Sequence, residues 1–333
     1  SRTGESKQPP VRTLTELVWT AKTGAAVKSS PVLSGDSVFL GSNNDYLYSL
    51  DIQNGTVNWK FKARSDISGG VAIHNGNVFF GSDDRHLYSL EAMSGALNWK
   101  FKTKGHIVTW PLIVPDRDLV IIGSKDRFLY AVNTNTGQEK WKLRTAGAIR
   151  SSPASSNGVA YFGSEDRFVY AVNIATGQEK WRFKTTGGVT ATPVVVNDTV
   201  YVGSWDKTFY AINAKTGVEK WTFKSKGAFL SSAAVVQGTV YVGCFDKQVY
   251  ALNAQNGEML WQFVTGGGVV SSPTVAEDVL YVGCDDKNLY ALNRKTGLEL
   301  WKFKTHGKIT GSPTIGNKMV FFGTEEGSVH AVK

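Results

Sequence analysis

The segment Asn173-Ile174-Ala175-Thr176-Gly177-Gln178-Glu179-Lys180-Trp181-Arg182-Phe183-Lys184-Thr185 decides the fold, because the same phrase returns from Asn213 to Ser225 and from Asn293 to Thr305. Its tryptophan belongs to a series, Trp19, Trp59, Trp99, Trp141, Trp181, Trp221, Trp261 and Trp301, spaced by 40, 40, 42, 40, 40, 40 and 40 residues. A period near 40, made of short β-type runs separated by glycine turns, belongs to a four-stranded propeller blade.

Outward from Trp181, the next repeat reads as four strands. Val189–Val196 is the most apolar run and is assigned to the inner strand, A, beside a central channel. Asn197-Asp198 turns into Thr199–Gly203 (B), Ser204–Lys207 forms a hairpin into Thr208–Asn213 (C), and Lys215-Thr216-Gly217 leads into Glu219–Lys224 (D). Glycine recurs at that last turn, as at Gly177, Gly217 and Gly257, where the backbone must take positive φ.

Eight A-B-C units begin near Val27, Ile67, Ile107, Ile149, Val189, Phe229, Val269 and Ile309, and the last stops at Lys333 without a strand D. Thr15–Ala21 is a D-type strand with no A-B-C ahead of it, so it is expected to complete the eighth blade and remove the free sheet ends of an open array. The fold class is all-β: an eight-bladed β-propeller of four-stranded antiparallel blades, closed by an N-terminal strand. Residues 13–333 are assigned to this single domain. Residues 1–12, polar and containing Pro9-Pro10, read as a linker or disordered tail.

The 333 residues, 41% apolar and 12% aromatic, suffice for a large core. No apolar stretch approaches the length of a membrane span, and the first residues lack a charged-then-apolar signal segment. The net charge of +9 raises the question of nucleic acid, but the lysines follow the marker tryptophan in period two, as in Trp59-Lys60-Phe61-Lys62 and Trp301-Lys302-Phe303-Lys304. On an outer strand they guard a sheet edge against pairing. The charge is then a ring and not a patch, which argues against nucleic-acid binding and for a monomer. Cys244 and Cys284 stand where other repeats have Ser or Thr and read as free thiols, and no Cys/His cluster has metal-site spacing. The marker tryptophans read as inter-blade packing, each hiding roughly 150–250 Å².

Function is sought where the repeat is broken on the face that carries the D-to-A and B-to-C connections. The B-to-C hairpin aspartates Asp84, Asp126, Asp166, Asp206, Asp246 and Asp286 read as caps of local N–H groups. At the preceding position most blades are polar, but blades five and six carry Trp205 and Phe245. These two, with Phe229 and Leu230 at the D-to-A connection of blade six, are the candidate partner-binding patch. Blade three replaces Ser-Ser-Pro with Thr109-Trp110-Pro111, and Lys28 and Arg150 precede strand A in blades one and four. Trp110, Lys28 and Arg150 are therefore the candidate ligand pocket, able to hold an anion.

The phrase Asn173 to Trp181, together with Val-Tyr-Val-Gly-Ser-x-Asp-Lys-x-x-Tyr-Ala-Ile-Asn as at Val200–Asn213, resembles the pyrroloquinoline-quinone-type (PQQ-like) propeller repeat family, over about Thr13 to Lys333. It is similar to the repeats of BamB-type assembly scaffolds, of kinase-attached sensor propellers and of quinoprotein dehydrogenases. The resemblance implies the propeller fold and a periplasmic or extracellular place. The dehydrogenase branch implies a vicinal Cys-Cys pair, a calcium site and elaborated loops. This chain has no Cys-Cys pair and nearly minimal loops, and no catalytic carboxylate carries over. The expectation is a non-catalytic scaffold or sensor that binds a protein or peptide, or a small ligand, on one face, with no cofactor and no metal. The alternative is a PQQ-dependent oxidoreductase with Trp110, Lys28 and Arg150 around the quinone.

Overall fold

Blade five shows how the repeat becomes a sheet in the computed structural model, which describes residues 4–333. Its strands are Val194–Val196 (A), Thr199–Gly203 (B), Thr208–Asn213 (C) and Glu219–Lys224 (D), each antiparallel to the next. Strands B, C and D have the bounds read from the sequence; strand A is shorter than the run expected. Pro193 has no N–H to give a ladder, and in several blades the buried Ser ahead of strand A bonds strand B directly. Gly163 N donates to Ser151 Oγ and Gly243 N to Ser231 Oγ, both at 3.0 Å.

Eight such sheets surround the channel. Strands B and C are buried because both faces of each sheet are covered by neighbouring blades, whereas strand D alternates exposed charge with buried or half-buried aromatics. In all eight outer strands the register shifts just before the tryptophan. Such a bulge re-aims the following side chain, here toward the next blade.

The joint between blades four and five is representative. Trp181 Nε1 donates to Ala214 O at 3.0 Å, and the indole lies over Gly217. Gly217 has φ 73°, and a β-carbon there would sit 2.8 Å from the indole. The turn glycine therefore has a second reason beyond its own backbone: it is the slot for the preceding blade's ring. Trp221 repeats the contact on Ala254 O and Gly257.

Leu17–Lys22 pairs antiparallel with Ser328–Val332 and completes blade eight, closing the ring as expected. In this blade no turn joins strands C and D, so Trp301 has no turn carbonyl to meet. Val11 O takes its place, accepting from Trp301 Nε1 at 2.9 Å and from Tyr281 Oη at 2.9 Å. Tyr161 and Tyr201 make the corresponding bond to Ala214 O and Ala254 O.

The reading of residues 1–12 as a linker or disordered tail is corrected for residues 4–12; residues 1–3 lie outside the described residues. Glu5–Ser6 pairs in parallel with Thr274–Ala276 on the channel side of blade seven, giving that sheet a fifth strand. Val275 N donates to Gly4 O at 2.8 Å, Val11 is buried, and Arg12 pairs with Glu277 at 2.5 Å and Asp278 at 2.9 Å. The physical cause is an open inner edge and an unmet indole, both on blade seven and far along the chain, which a polar local composition does not reveal. Among the described residues no helix is long and apolar enough to cross a membrane.

Candidate binding face and channel mouth

The hairpin carboxylates tie the two sets of loops on this face together. Asp206 Oδ2 accepts from Thr186 N at 2.9 Å, Gly187 N at 3.2 Å and Tyr210 Oη at 2.8 Å, while Oδ1 accepts from Thr208 N at 3.0 Å. Burial alone would raise the Asp206 carboxyl, and the hydrogen bonds from Tyr210, Thr186 and Thr208 more than reverse it, holding it below the usual carboxylate range. Burial and the Asp206 charge push the Tyr210 hydroxyl up to about 12. Asp84 and Asp286 are held low by the same bonds against the same burial. Every one of the six pairs with the Tyr four residues on. These carboxylates cap backbone N–H groups. Cys244 and Cys284 sit at the foot of such hairpins as buried free thiols, pushed up by burial to about 12 and about 11, so neither is a reactive thiolate at neutral pH.

The channel has a volume of about 1030 Å³ and is lined at this mouth by Lys28, Trp110, Arg150, Thr190, Leu230 and Val270. Trp110 lies against blade two, where Gly69-Gly70 replaces Ser-Ser: a β-carbon at Gly70 would come within 2.1 Å of the indole. The backbone N–H of Trp110 donates to Ser152 Oγ at 2.8 Å. Lys28 and Arg150 line the mouth as read, but each meets a carboxylate. Arg150 Nε is 2.6 Å from Glu165 and Lys28 Nζ is 3.5 Å from Glu325. The sequence reading missed both pairs, although for Arg150–Glu165 a signal was available. Hairpin-tip residues lie 15 positions after the residue ahead of strand A and touch it, as in Trp205–Thr190 and Glu325–Thr310.

A pyrroloquinoline quinone carries three carboxylates and, in the dehydrogenases, lies beside a metal ion. The cations at this mouth already hold Glu165 and Glu325, and no group of three or more His, Cys, Asp or Glu among the described residues could hold a metal.

Trp205 and Phe245 are each 54% exposed at neighbouring hairpin tips. Trp205 Nε1 donates to Thr190 Oγ1 at 2.9 Å, and the Phe245 ring lies over Gly268, whose β-carbon position is 2.9 Å from it. Leu230 and Val270, half-buried, extend the apolar sector to the channel mouth. Phe229 does not belong to it and is corrected: it is fully buried, packed on Phe209, Phe223 and Tyr250. It occupies the first position of the A-B-C unit, where Val27, Ile67, Val189 and their equivalents are all core.

The charges of the face are divided. Blades eight, one and two carry Glu326, Asp45, Asp66 and Asp83, and desolvation, then Asp83 and Asp45, hold the Asp66 carboxyl above its ordinary value. On blades five and six the loop charges outside the capped aspartates are Lys207, Lys226 and Lys247, all exposed. None of the three has an ion pair among the described residues.

The chain is a closed eight-bladed propeller of PQQ-like repeats with capped hairpins and an apolar sector on one face. The chain belongs to the family described as outer membrane protein assembly factor BamB, whose model matches residues 15–66, 59–155, 125–265 and 224–333. No curated protein sequence matches it. Among solved structures it is similar to BamB from Moraxella catarrhalis, with TM-score 0.83, 20% identity, and 96% of this chain and 100% of that one covered. It is also similar to the computationally designed Ika8 protein, with TM-score 0.85, 16% identity and 96% and 99% covered. A third is the quinohemoprotein alcohol dehydrogenase ADHIIG from Pseudomonas putida HK5, with TM-score 0.84, 14% identity and 98% and 78% covered. At these identities the likeness is one of fold.

Proposed function

We propose that this chain is a non-catalytic propeller that binds a protein or peptide partner on the D-to-A and B-to-C face, as a scaffold or sensor module. The observation that carries the reading is the pair of exposed aromatics, Trp205 and Phe245, at hairpin tips where other blades place polar residues. Exposed aromatics with a charged rim are the usual make-up of an interaction hot spot. The family's description as an assembly factor supports a protein partner. The hairpin carboxylates are engaged as caps. A small-molecule ligand, if the chain has one, would enter the channel mouth beside Trp110.

The test is capture of partners from a lysate of the source cells by the wild type and by Trp205→Ala with Phe245→Ala. The double variant should melt within a degree or two of the wild type and lose most of the captured partner. Full retention of every partner would move the site elsewhere. The competing reading, a PQQ-dependent oxidoreductase, is tested by spectrophotometric titration with the quinone, with and without calcium, followed by alcohol-dependent dye reduction; turnover would replace the scaffold reading.

A further inference from the structure

The charge around the apolar sector differs from that around the rest of the face, and this difference bears on the partner. The third hairpin position is Asp45 in blade one and Gly327 in blade eight, and is basic in the blades between: Arg85, Arg127 and Arg167 in blades two to four, Lys207, Lys247 and Lys287 in blades five to seven. Lys207 and Lys247 hold this place with φ 68° and 70°, so the hairpin itself presents them to solvent. Lys226 adds a third cation from the D-to-A connection of blade six. Elsewhere on the face three cations are matched, Lys28 with Glu325, Arg150 with Glu165 and Lys308 with Asp285, while Arg85, Arg127 and Arg167 hold the same hairpin position as Lys207 and, like it, are in no ion pair among the described residues. Trp205, Phe245, Leu230 and Val270 thus lie beside lysines with no carboxylate partner, while the opposite arc sets Asp45, Asp66, Asp83, Glu325 and Glu326 among Lys28, Arg64, Arg85 and Lys308.

We propose that this sector takes an acidic polypeptide segment bearing aromatic or aliphatic side chains. Its apolar groups seat on Trp205, Phe245, Leu230 and Val270, and its carboxylates meet Lys207, Lys226 and Lys247. The proposal rests on the reading above that the face binds protein. The arc of Asp45, Asp66, Asp83 and Glu326 repels the same carboxylates, and the exposed rings of Trp205 and Phe245 fix the segment on blades five and six. Single-stranded nucleic acid also joins anions to stacking groups, but it needs a basic track along its backbone. Here the cations are interrupted by Asp206 and Asp246, and the channel mouth beyond them is lined by Thr190, Leu230 and Val270.

The experiment is fluorescence anisotropy with labelled probes. One is a short peptide alternating Glu with Leu and Phe. The second has Lys for each Glu, the third has Ser for each Leu and Phe, and the fourth is an oligothymidylate. The acidic apolar peptide should bind at least about tenfold more tightly than the others, and added salt should weaken it. Lys207→Gln with Lys226→Gln and Lys247→Gln, and separately Trp205→Ala with Phe245→Ala, should each weaken it about tenfold without lowering the melting temperature. Equal binding of the Lys peptide or the oligothymidylate, or indifference to the lysine variant, overturns the proposal. If the lysine variant still captures the cellular partner while the aromatic variant does not, the binding face stands and its acidic ligand falls. If neither variant changes capture, both fall.

Discussion

Between blades four and five, Trp181 finds its carbonyl on Ala214 and its slot on Gly217, 33 and 36 residues further along the chain. Between blades seven and eight, Trp301 finds its carbonyl on Val11, a separation of 290 residues. The indole's requirement is the same at both joints, a carbonyl acceptor and a surface to cover, but the regular joint meets it with a turn and the closing joint with the opposite end of the chain. A second difference follows along the same blade. Six blades carry an Asp–Tyr pair beside their hairpin, while blade eight has Glu326 and His330 at those places. His330 Nδ1 is hydrogen-bonded to Thr20 Oγ1 of the closing strand at 3.0 Å, and its buried Nε2 has no partner among the described residues. The closing blade is thus held by unlike, long-range contacts where the others are held by repeated local ones.

The largest effect should come from deleting residues 1–21, which removes both the Val11 acceptor and most of the outer strand of blade eight. Thermal melts should show loss of the cooperative native transition, whereas deleting only residues 1–10 should lower the melting temperature by no more than a few degrees. Equal melts for the two truncations would break the distinction between joints.

Next in size are the two indoles themselves. Trp181→Ala and Trp301→Ala should each cost roughly 3–5 kcal/mol in chemical denaturation, with Trp301, the more buried ring, at the upper end. A cost within about 0.5 kcal/mol at Trp181 would mean that the ring does not hold the joint.

Acid should separate the joints in a third way. Burial, with a smaller effect from His306, depresses the His330 imidazole to about 4 from its ordinary 6.5. Its folded pKa lies below its unfolded one, so the native state binds fewer protons. The associated stability is present above pH 6.5 and is lost as pH falls from 6.5 toward about 4, on the order of 3 kcal/mol. Asp84, Asp206 and Asp286, also depressed when folded, contribute above the ordinary carboxylate range and lose that contribution only at lower pH. Denaturant titrations across this window should show a decline that His330→Phe flattens; an unchanged slope would assign the acid sensitivity elsewhere.

The smallest contrast lies in what each joint places beneath the ring. Gly217→Ala forces a β-carbon toward the indole at φ 73° and should cost more than about 1 kcal/mol. Val11 serves through its main chain, so Val11→Ala should keep the bond to Trp301 and lose only side-chain burial, about 1–2 kcal/mol. A larger loss at Val11 than at Gly217 would show that the closing segment is held chiefly by its side chain.

From the sequence alone came the eight repeats, the bounds of strands B, C and D, the closing strand, the capping aspartates, the free thiols and the exposure of Trp205 and Phe245. Each depends on a local or periodic signal: alternation along a strand, a turn residue, or one position compared across eight copies. Only the tertiary structure decided that residues 4–12 belong to the propeller, that Phe229 is core, and that Lys28 and Arg150 meet Glu325 and Glu165. Phe229 and the Arg150–Glu165 pair were legible in principle, from the apolar series at its position and from the recurring spacing of 15. The contacts of Val11 and of Glu5–Ser6 were not, because they join segments about 270 to 290 residues apart that share no repeat. What selects them is the open inner edge and the unmet indole of blade seven, which the N-terminal segment reaches only when the two ends of the chain come together.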